Sequence, residues 1–336
     1  MCYRLASFAL VCLIAGPIAN AQSTQAAQGY FDRGSQRYLK GDLEGAISDF
    51  TLAIELSSRL ERNIPSTPAG GLRVPVSTGA SGERQIRAID PLTASAYTNR
   101  ALARTGLRDY DGAINDCNRA LTMNPRLYQA LNNRGVALFH KGEFAQALID
   151  FDRAISIDQS SPEPFNNRGN VRREMGDLIG AISDYTRALE LNPKSADVYC
   201  NRGFVRFDSR QTDTALEDFE KAISLDGRMA WAYYGKGSAH VLKTNYALAI
   251  DAFSQAIRID PKLACAYGDR GLTALRLWMD LEAEIDFEQC LAISPDLKDV
   301  LEARISRILE LRSSSGDSKQ ERGNATLDRF PRPRRQ

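Results

Sequence analysis

The tripeptide Asn-Arg-Gly stands at Asn133-Arg134-Gly135, Asn167-Arg168-Gly169 and Asn201-Arg202-Gly203, and its glycine continues at Gly237 and Gly271, each step being 34 residues. A strict period of this length means one small unit copied along the chain. Each copy can bury its apolar face only against its neighbours, so the chain folds as a stack of repeats and not around one central core.

Registering the chain on that glycine brings up further columns. Ala147, Ala181, Ala215, Ala249 and Ala283 follow it, then Phe151, Tyr185, Phe219, Phe253 and Phe287, then Ala154, Ala188, Ala222, Ala256 and Cys290. Pro193, Pro261 and Pro295 close three copies. Small residues at fixed sites let two helices approach, the aromatic fills the space between them, and proline stops the second helix. Two earlier copies keep the register, one with Ala101, Ala113, Cys117, Ala120 and Pro125, the other with Gly34, Ala46, Phe50 and Ala53.

These columns resemble the tetratricopeptide repeat (TPR) family. The resemblance implies an all-α fold, a right-handed TPR superhelix of seven helix-turn-helix repeats at 27–56, 94–127, 128–161, 162–195, 196–229, 230–263 and 264–295. Between the first two copies, 57–91 carries Pro65, Pro68, Gly70, Gly71, Gly79 and Gly82 without helical periodicity, and is expected to be an exposed loop insertion. Residues 296–312 align Leu297, Val300, Leu301, Ile305, Ile308 and Leu309 on one stripe, as a helix capping the last repeat would. The Ser- and Arg-rich tail 313–336 is expected to be disordered.

At the other end, Arg4 precedes an apolar run from Leu5 to Ile18 and then Ala19-Asn20-Ala21. This reads as a signal peptide over 1–21, cut before Gln22, and places the protein in a periplasm or outside the cell. The run is too short for a membrane span of about 20 residues, so no span is expected once the signal is removed. Lys and Arg total 43 against 42 for Asp and Glu, a balance without the basic field that nucleic acid requires. Cys117, Cys200, Cys265 and Cys290 lie outside the signal, lack any C-x-x-C spacing and suggest neither a disulfide framework nor a metal site.

No catalytic motif is present. Only His140 and His240 occur, with no His-Glu-x-x-His, no G-x-S-x-G and no phosphate-binding glycine loop. No cofactor is expected, and the chain reads as a non-catalytic scaffold for a protein or peptide partner.

Two columns invite roles. Arg33, Arg100, Arg134, Arg168, Arg202 and Arg270 are each followed, 16 residues later, by Asp49, Asp116, Asp150, Asp184, Asp218 and Asp286, while the sixth copy loses both at once to Lys236 and Ala252. Joint loss predicts structural pairs, among them Arg134 with Asp150, Arg168 with Asp184 and Arg202 with Asp218. Asn99, Asn133, Asn167 and Asn201, with Asn132, Asn166 and Asn170 beside them, form an amide ladder on the first helices.

On the flank that lines the groove in TPR proteins, this ladder resembles the asparagine ladder of O-linked N-acetylglucosamine transferases, which implies binding to the main chain of an extended peptide. The opposing reading is that the amides bond to neighbouring helices. Farther along, Phe204, Phe207, Trp231 and Tyr234 are expected either to anchor partner side chains or to pack between repeats. The carboxylate clamp of TPR cochaperones is disfavoured, because its cation positions hold Asn166, Trp231 and Gly235. Docking on the convex face or the loop, as a subunit of an envelope assembly or secretion complex, and sugar stacking on the aromatics, by a carbohydrate-binding protein or cryptic cell-wall enzyme, remain the alternatives.

Overall fold

A computed structural model describes residues 23–63 and 91–314. The expected signal peptide, its cleavage point, residues 64–90 of the insertion and residues 315–336 of the tail lie outside the described residues. Among those described, the regular structure is entirely helical: α1 over 23–39, α2 Leu43–Asn63, α3 Pro91–Gly106, α4 Tyr110–Met123, α5 Tyr128–His140, α6 Phe144–Ile157, α7 Pro162–Glu174, α8 Leu178–Leu191, α9 Ala196–Asp208, α10 Thr212–Leu225, α11 Ala230–Leu242, α12 Tyr246–Ile259, α13 Ala264–Arg276, α14 Asp280–Ile293 and α15 Lys298–Ser314. No described helix is long and apolar enough to cross a membrane.

The pattern of contacts divides the chain between Val171 and Arg172, within α7, into two compact units. In the first, α3 packs on α4, α4 on α5, α5 on α6, and the first helices α3 and α5 also touch. In the second, α9 packs on α10, α11 on α12 and α13 on α14, while α9 meets α11, α11 meets α13, and α15 lies on α13. Each unit is thus an all-α stack of helix hairpins in which successive first helices line one side.

Packing inside a hairpin follows from size. A Cβ added to Gly135 would lie 2.7 Å from the ring of Phe151, so glycine is what lets α5 close on α6. In the second copy, Ala101 on α3 stands at the glycine position and Cys117 on α4 at the ring position, and both are fully buried. The larger residue on one helix is offset by the smaller on the other.

The turn out of each first helix has one residue in the left-handed region. It is Gly41, Gly142 and Gly176 in three copies and Arg108, Arg210, Thr244 and Trp278 in the others. The following amide then reaches back to the helix, as Glu143 N does to Leu138 O at 2.9 Å, satisfying a terminal carbonyl.

Several boundaries differ from the sequence expectation, among them the starts of α1 at 23 and of α3 at Pro91. Residues 57–63, expected to begin the loop, continue α2 to Asn63, because Ser57 to Asn63 contains no Gly or Pro and the first breaker is Pro65. At the other end, Pro295–Leu297 forms a turn of 3-10 helix, and α15 runs on to Ser314, two residues into the expected tail.

Candidate functional site

The recurring 16-residue spacing of Arg and Asp resolves into a two-helix clamp. Arg134 on α5 donates from Nε to Asp150 Oδ2 and from Nη2 to Asp150 Oδ1 on α6, both at 2.7 Å. The same fork joins Arg33 to Asp49 and Arg100 to Asp116 in the first unit, and Arg202 to Asp218 and Arg270 to Asp286 in the second. The guanidinium holds the Asp49 carboxyl below the usual carboxylate range, through the hydrogen bond from Arg33 and its charge, against the opposing effect of burial. Arg168 and Asp184 belong to different units; within its own, Arg168 Nη1 donates to Asp152 at 2.6 Å, and Asp184 accepts from Arg172 Nη1 at 2.8 Å.

Every fork except that of Arg33, which stands in the first hairpin, also reaches back to the preceding hairpin. Nη1 of Arg100 donates to Thr51, that of Arg134 to Asn118, that of Arg202 to Thr186 and that of Arg270 to Ser254, at 2.6–3.0 Å. In the sixth copy, Lys236 makes the corresponding reach to Glu220 at 2.9 Å. Arg33, Arg100, Arg168, Arg202 and Arg270 additionally lie over Tyr30, Tyr97, Phe165, Tyr199 and Tyr267, with 4.8–5.8 Å between guanidinium carbon and ring centroid. Apart from Arg33, whose side chain is 52% exposed, these arginines bond to the hairpin before their own.

A second arginine column escaped the sequence reading. Arg37, Arg104, Arg172 and Arg206 approach Asp49, Asp116, Asp184 and Asp218 within 2.8–3.2 Å, one helical turn after the first column. Its signal was available, since Arg104, Arg172 and Arg206 keep the 34-residue register. In the third copy Leu138 interrupts it, leaving Arg134 as the only described side-chain partner of Asp150.

The asparagines behave differently from a free ladder. Asn166 Nδ2 donates to Asn167 Oδ1 at 3.3 Å, Asn167 Nδ2 to Asn132 Oδ1 at 3.0 Å, Asn132 Nδ2 to Asn133 Oδ1 at 3.5 Å, and Asn133 Nδ2 to the Thr98 carbonyl at 3.2 Å. The result is a directional chain of amides across α7, α5 and α3, all in the first unit. Asn99, Asn132, Asn133, Asn166, Asn167 and Asn170 are half-buried, whereas Asn201 in the second unit is buried. The ladder therefore spends part of its bonding capacity on stacking first helices, as the opposing reading held, while its rim stays in reach of solvent.

The aromatic wall does not form. Phe204, Phe207 and Tyr234 are buried and only Trp231 is partly exposed. Phe204 meets Phe219 at 4.8 Å between centroids and Trp231 at 6.4 Å, and Tyr234 meets Trp231 at 5.6 Å and Phe253 at 5.8 Å. Gly203, Gly235 and Gly237 allow this, because a Cβ on any of them would strike the ring of Phe219 or Phe253. Of these four rings, only Trp231 keeps part of its surface open to a ligand. Instead, Tyr234 Oη donates to Asp269 Oδ2 and Arg304 Nη2 on α15 donates to Asp269 Oδ1, each at 2.7 Å. Burial, with the adjacent Asp269 charge, pushes the Tyr234 phenol well above its ordinary pKa. Of the two roles expected for these aromatics, Phe204, Phe207 and Tyr234 take the packing one, and a buried Tyr-Asp-Arg network seats the C-terminal helix beside them.

Both histidines have pKa values lowered mainly by burial, assisted by Arg108 at His140 and Lys236 at His240. Among the described residues, no group of three or more His, Cys, Asp or Glu side chains is placed to hold a metal ion.

A family model described as TPR repeat matches residues 169–209, and one described as tetratricopeptide repeat matches residues 90–162 and 203–264. Among solved structures, the chain is similar to a tetratricopeptide repeat protein from Parabacteroides merdae, at 18% identity over 85% of this chain and 99% of that one, with a TM-score of 0.54. It is also similar to pilF of Pseudomonas aeruginosa, at 18% identity over 71% and 94% of the two chains with a TM-score of 0.54. The APC/C hetero-tetramer Cut9-Hcn1 gives 15% identity over 79% and 55%, with a TM-score of 0.58. At these identities the likeness concerns the fold alone. No curated protein sequence matches the chain.

Proposed function

The chain belongs to the tetratricopeptide repeat family, and from that premise we propose that it is a non-catalytic protein-interaction scaffold of the cell envelope that takes an extended segment of a partner along the first-helix flank of its first unit. The observation that carries this reading is the half-buried amide chain from Asn166 to Asn133, with the half-buried Asn99 next in sequence to its last acceptor, Thr98, and the exposed Gln129 one helical turn before Asn133 on α5. An Asn side chain has two N–H donors and an oxygen with two lone pairs. One donor each of Asn132, Asn133 and Asn167 orients the ladder, and the remaining capacity of those three amides suits a peptide main chain, whose donors and acceptors alternate. Each such bond contributes about 0.5–1.5 kcal/mol net, so recognition needs several at once. Envelope placement rests on the Leu5 to Ile18 run and Ala19-Asn20-Ala21.

Affinity capture from an envelope extract tests this reading, comparing the wild-type protein with an Asn99→Ala, Gln129→Ala variant. Neither substitution removes a member of the amide chain that joins Asn166 to Asn133. Recovery of one partner by the wild type, reduced several-fold by the variant, supports groove capture. Equal recovery by two proteins of equal thermal stability overturns it.

A further inference from the structure

The turn between α13 and α14 holds Trp278 at φ 66°, in the left-handed region where three sister turns place glycine. A bulky aromatic is an uncommon occupant of that region. Its side chain does not compensate by burial, since Trp278 is 68% exposed. Beside it on α14, Leu281 is 68% and Ile285 52% exposed. In the two preceding copies the equivalent positions hold Asp213 with Glu217 and Ala247 with Asp251, so this pair of apolar residues is particular to the last repeat.

The same face is acidic. From Leu277 to Leu297 there is no Lys or Arg, and Glu282, Glu284 and Glu288 are exposed without an ion-pair partner among the described residues. A surface combining an exposed indole, two aliphatic side chains and three carboxylates suits a basic ligand with apolar or proline residues.

Where the described chain stops bears on what that ligand is. Arg312, two residues before the last described residue, lies over the Trp278 ring at 3.9 Å and donates to Asp280 at 2.8 Å. The polypeptide therefore leaves α15 at the edge of this patch. The residues beyond include Arg329-Phe330-Pro331-Arg332-Pro333-Arg334-Arg335, with four arginines, one aromatic and no acid. Residues 315–328 lie between. An extended chain of 14 residues reaches about 46 Å, over twice the ~21 Å length of α14.

We infer that Arg329–Arg335 docks in cis on the outer face of α14, its arginines on Glu282, Glu284 and Glu288 and Phe330 against Trp278, Leu281 and Ile285. Tethering makes this contact intramolecular, so it is populated without high intrinsic affinity. It covers the apolar face of the last hairpin and is independent of the flank that binds a partner.

The test places photoreactive p-benzoylphenylalanine at position 330 of the whole chain and maps the cross-links by mass spectrometry over a range of protein concentrations. Docking in cis yields intrachain links to 278–288 with concentration-independent yield, abolished by Glu282→Lys, Glu284→Lys, Glu288→Lys in a variant that melts as the parent does. Links that are only intermolecular, links elsewhere, or links to α14 that survive charge reversal would each overturn the proposal.

Discussion

Arg134 and Asp150 stand 16 residues apart in sequence and meet through two parallel hydrogen bonds of 2.7 Å, so that one guanidinium locks the two helices of its hairpin while its third nitrogen reaches Asn118 of the hairpin before. Repeat proteins gain their stability from such terms within and between neighbouring units. The arrangement makes the cost of losing an arginine depend on the copy in which it is lost.

Arg134→Ala should therefore destabilise more than Arg100→Ala or Arg202→Ala. Asp150 is nearly sealed from solvent and Arg134 is its sole described partner, so the variant strands a buried carboxylate at a cost of about 3–5 kcal/mol. Asp116 and Asp218 would keep Arg104 and Arg206, at 2.9 and 2.8 Å. Urea denaturation midpoints of the three variants check the order.

Gly135→Ala should destabilise by about 1–3 kcal/mol through overpacking against Phe151. Adding Phe151→Cys recreates the Ala101 and Cys117 combination of the second copy, and should recover part of the loss. Melting temperatures of the single and double variants decide this, and further destabilisation by the second change would show that the two positions do not compensate.

Burial pushes the Cys117 thiol up to about 12 and the Cys290 thiol up to about 11. Their thiolate fractions at neutral pH are negligible, and the thiolate is the nucleophile. Iodoacetamide should leave both unmodified in the native protein and alkylate both in denaturant, as intact and peptide mass spectrometry would record.

Arg304→Ala should unseat α15, since it removes one of the two groups that satisfy the buried Asp269 carboxylate. The expected cost is about 3 kcal/mol. Amide exchange across Lys298–Ser314 should accelerate while α10 keeps its protection; unchanged exchange in α15 would mean that apolar packing by Leu301 and Ile308 holds the helix by itself.

Much of this molecule was readable as a linear pattern. The period and the Gly, Ala and aromatic columns identify paired helices because close approach needs small residues opposite large ones, a local and repeated requirement. The joint loss of Arg and Asp in the sixth copy, at Lys236 and Ala252, isolates a pair for the same reason.

Residue type and spacing could not decide which face of a first helix meets solvent. Asn133 and Asn167 read equally well as ligand donors or as links between helices, and only the approach of α3, α5 and α7 gives them Thr98 O and Asn132 Oδ1 as partners. Phe204 and Tyr234 occupy groove positions by register, yet Gly203, Gly235 and Gly237 draw the helices together until the rings are enclosed. Trp278 shows the converse, a large apolar residue left 68% exposed in the turn between α13 and α14. Sequence alone determined the repeating unit, since that unit depends on contacts at fixed separations along one chain. Tertiary structure decided exposure, because burial is set by how closely neighbouring units stack, and that distance is the joint result of side chains from several repeats.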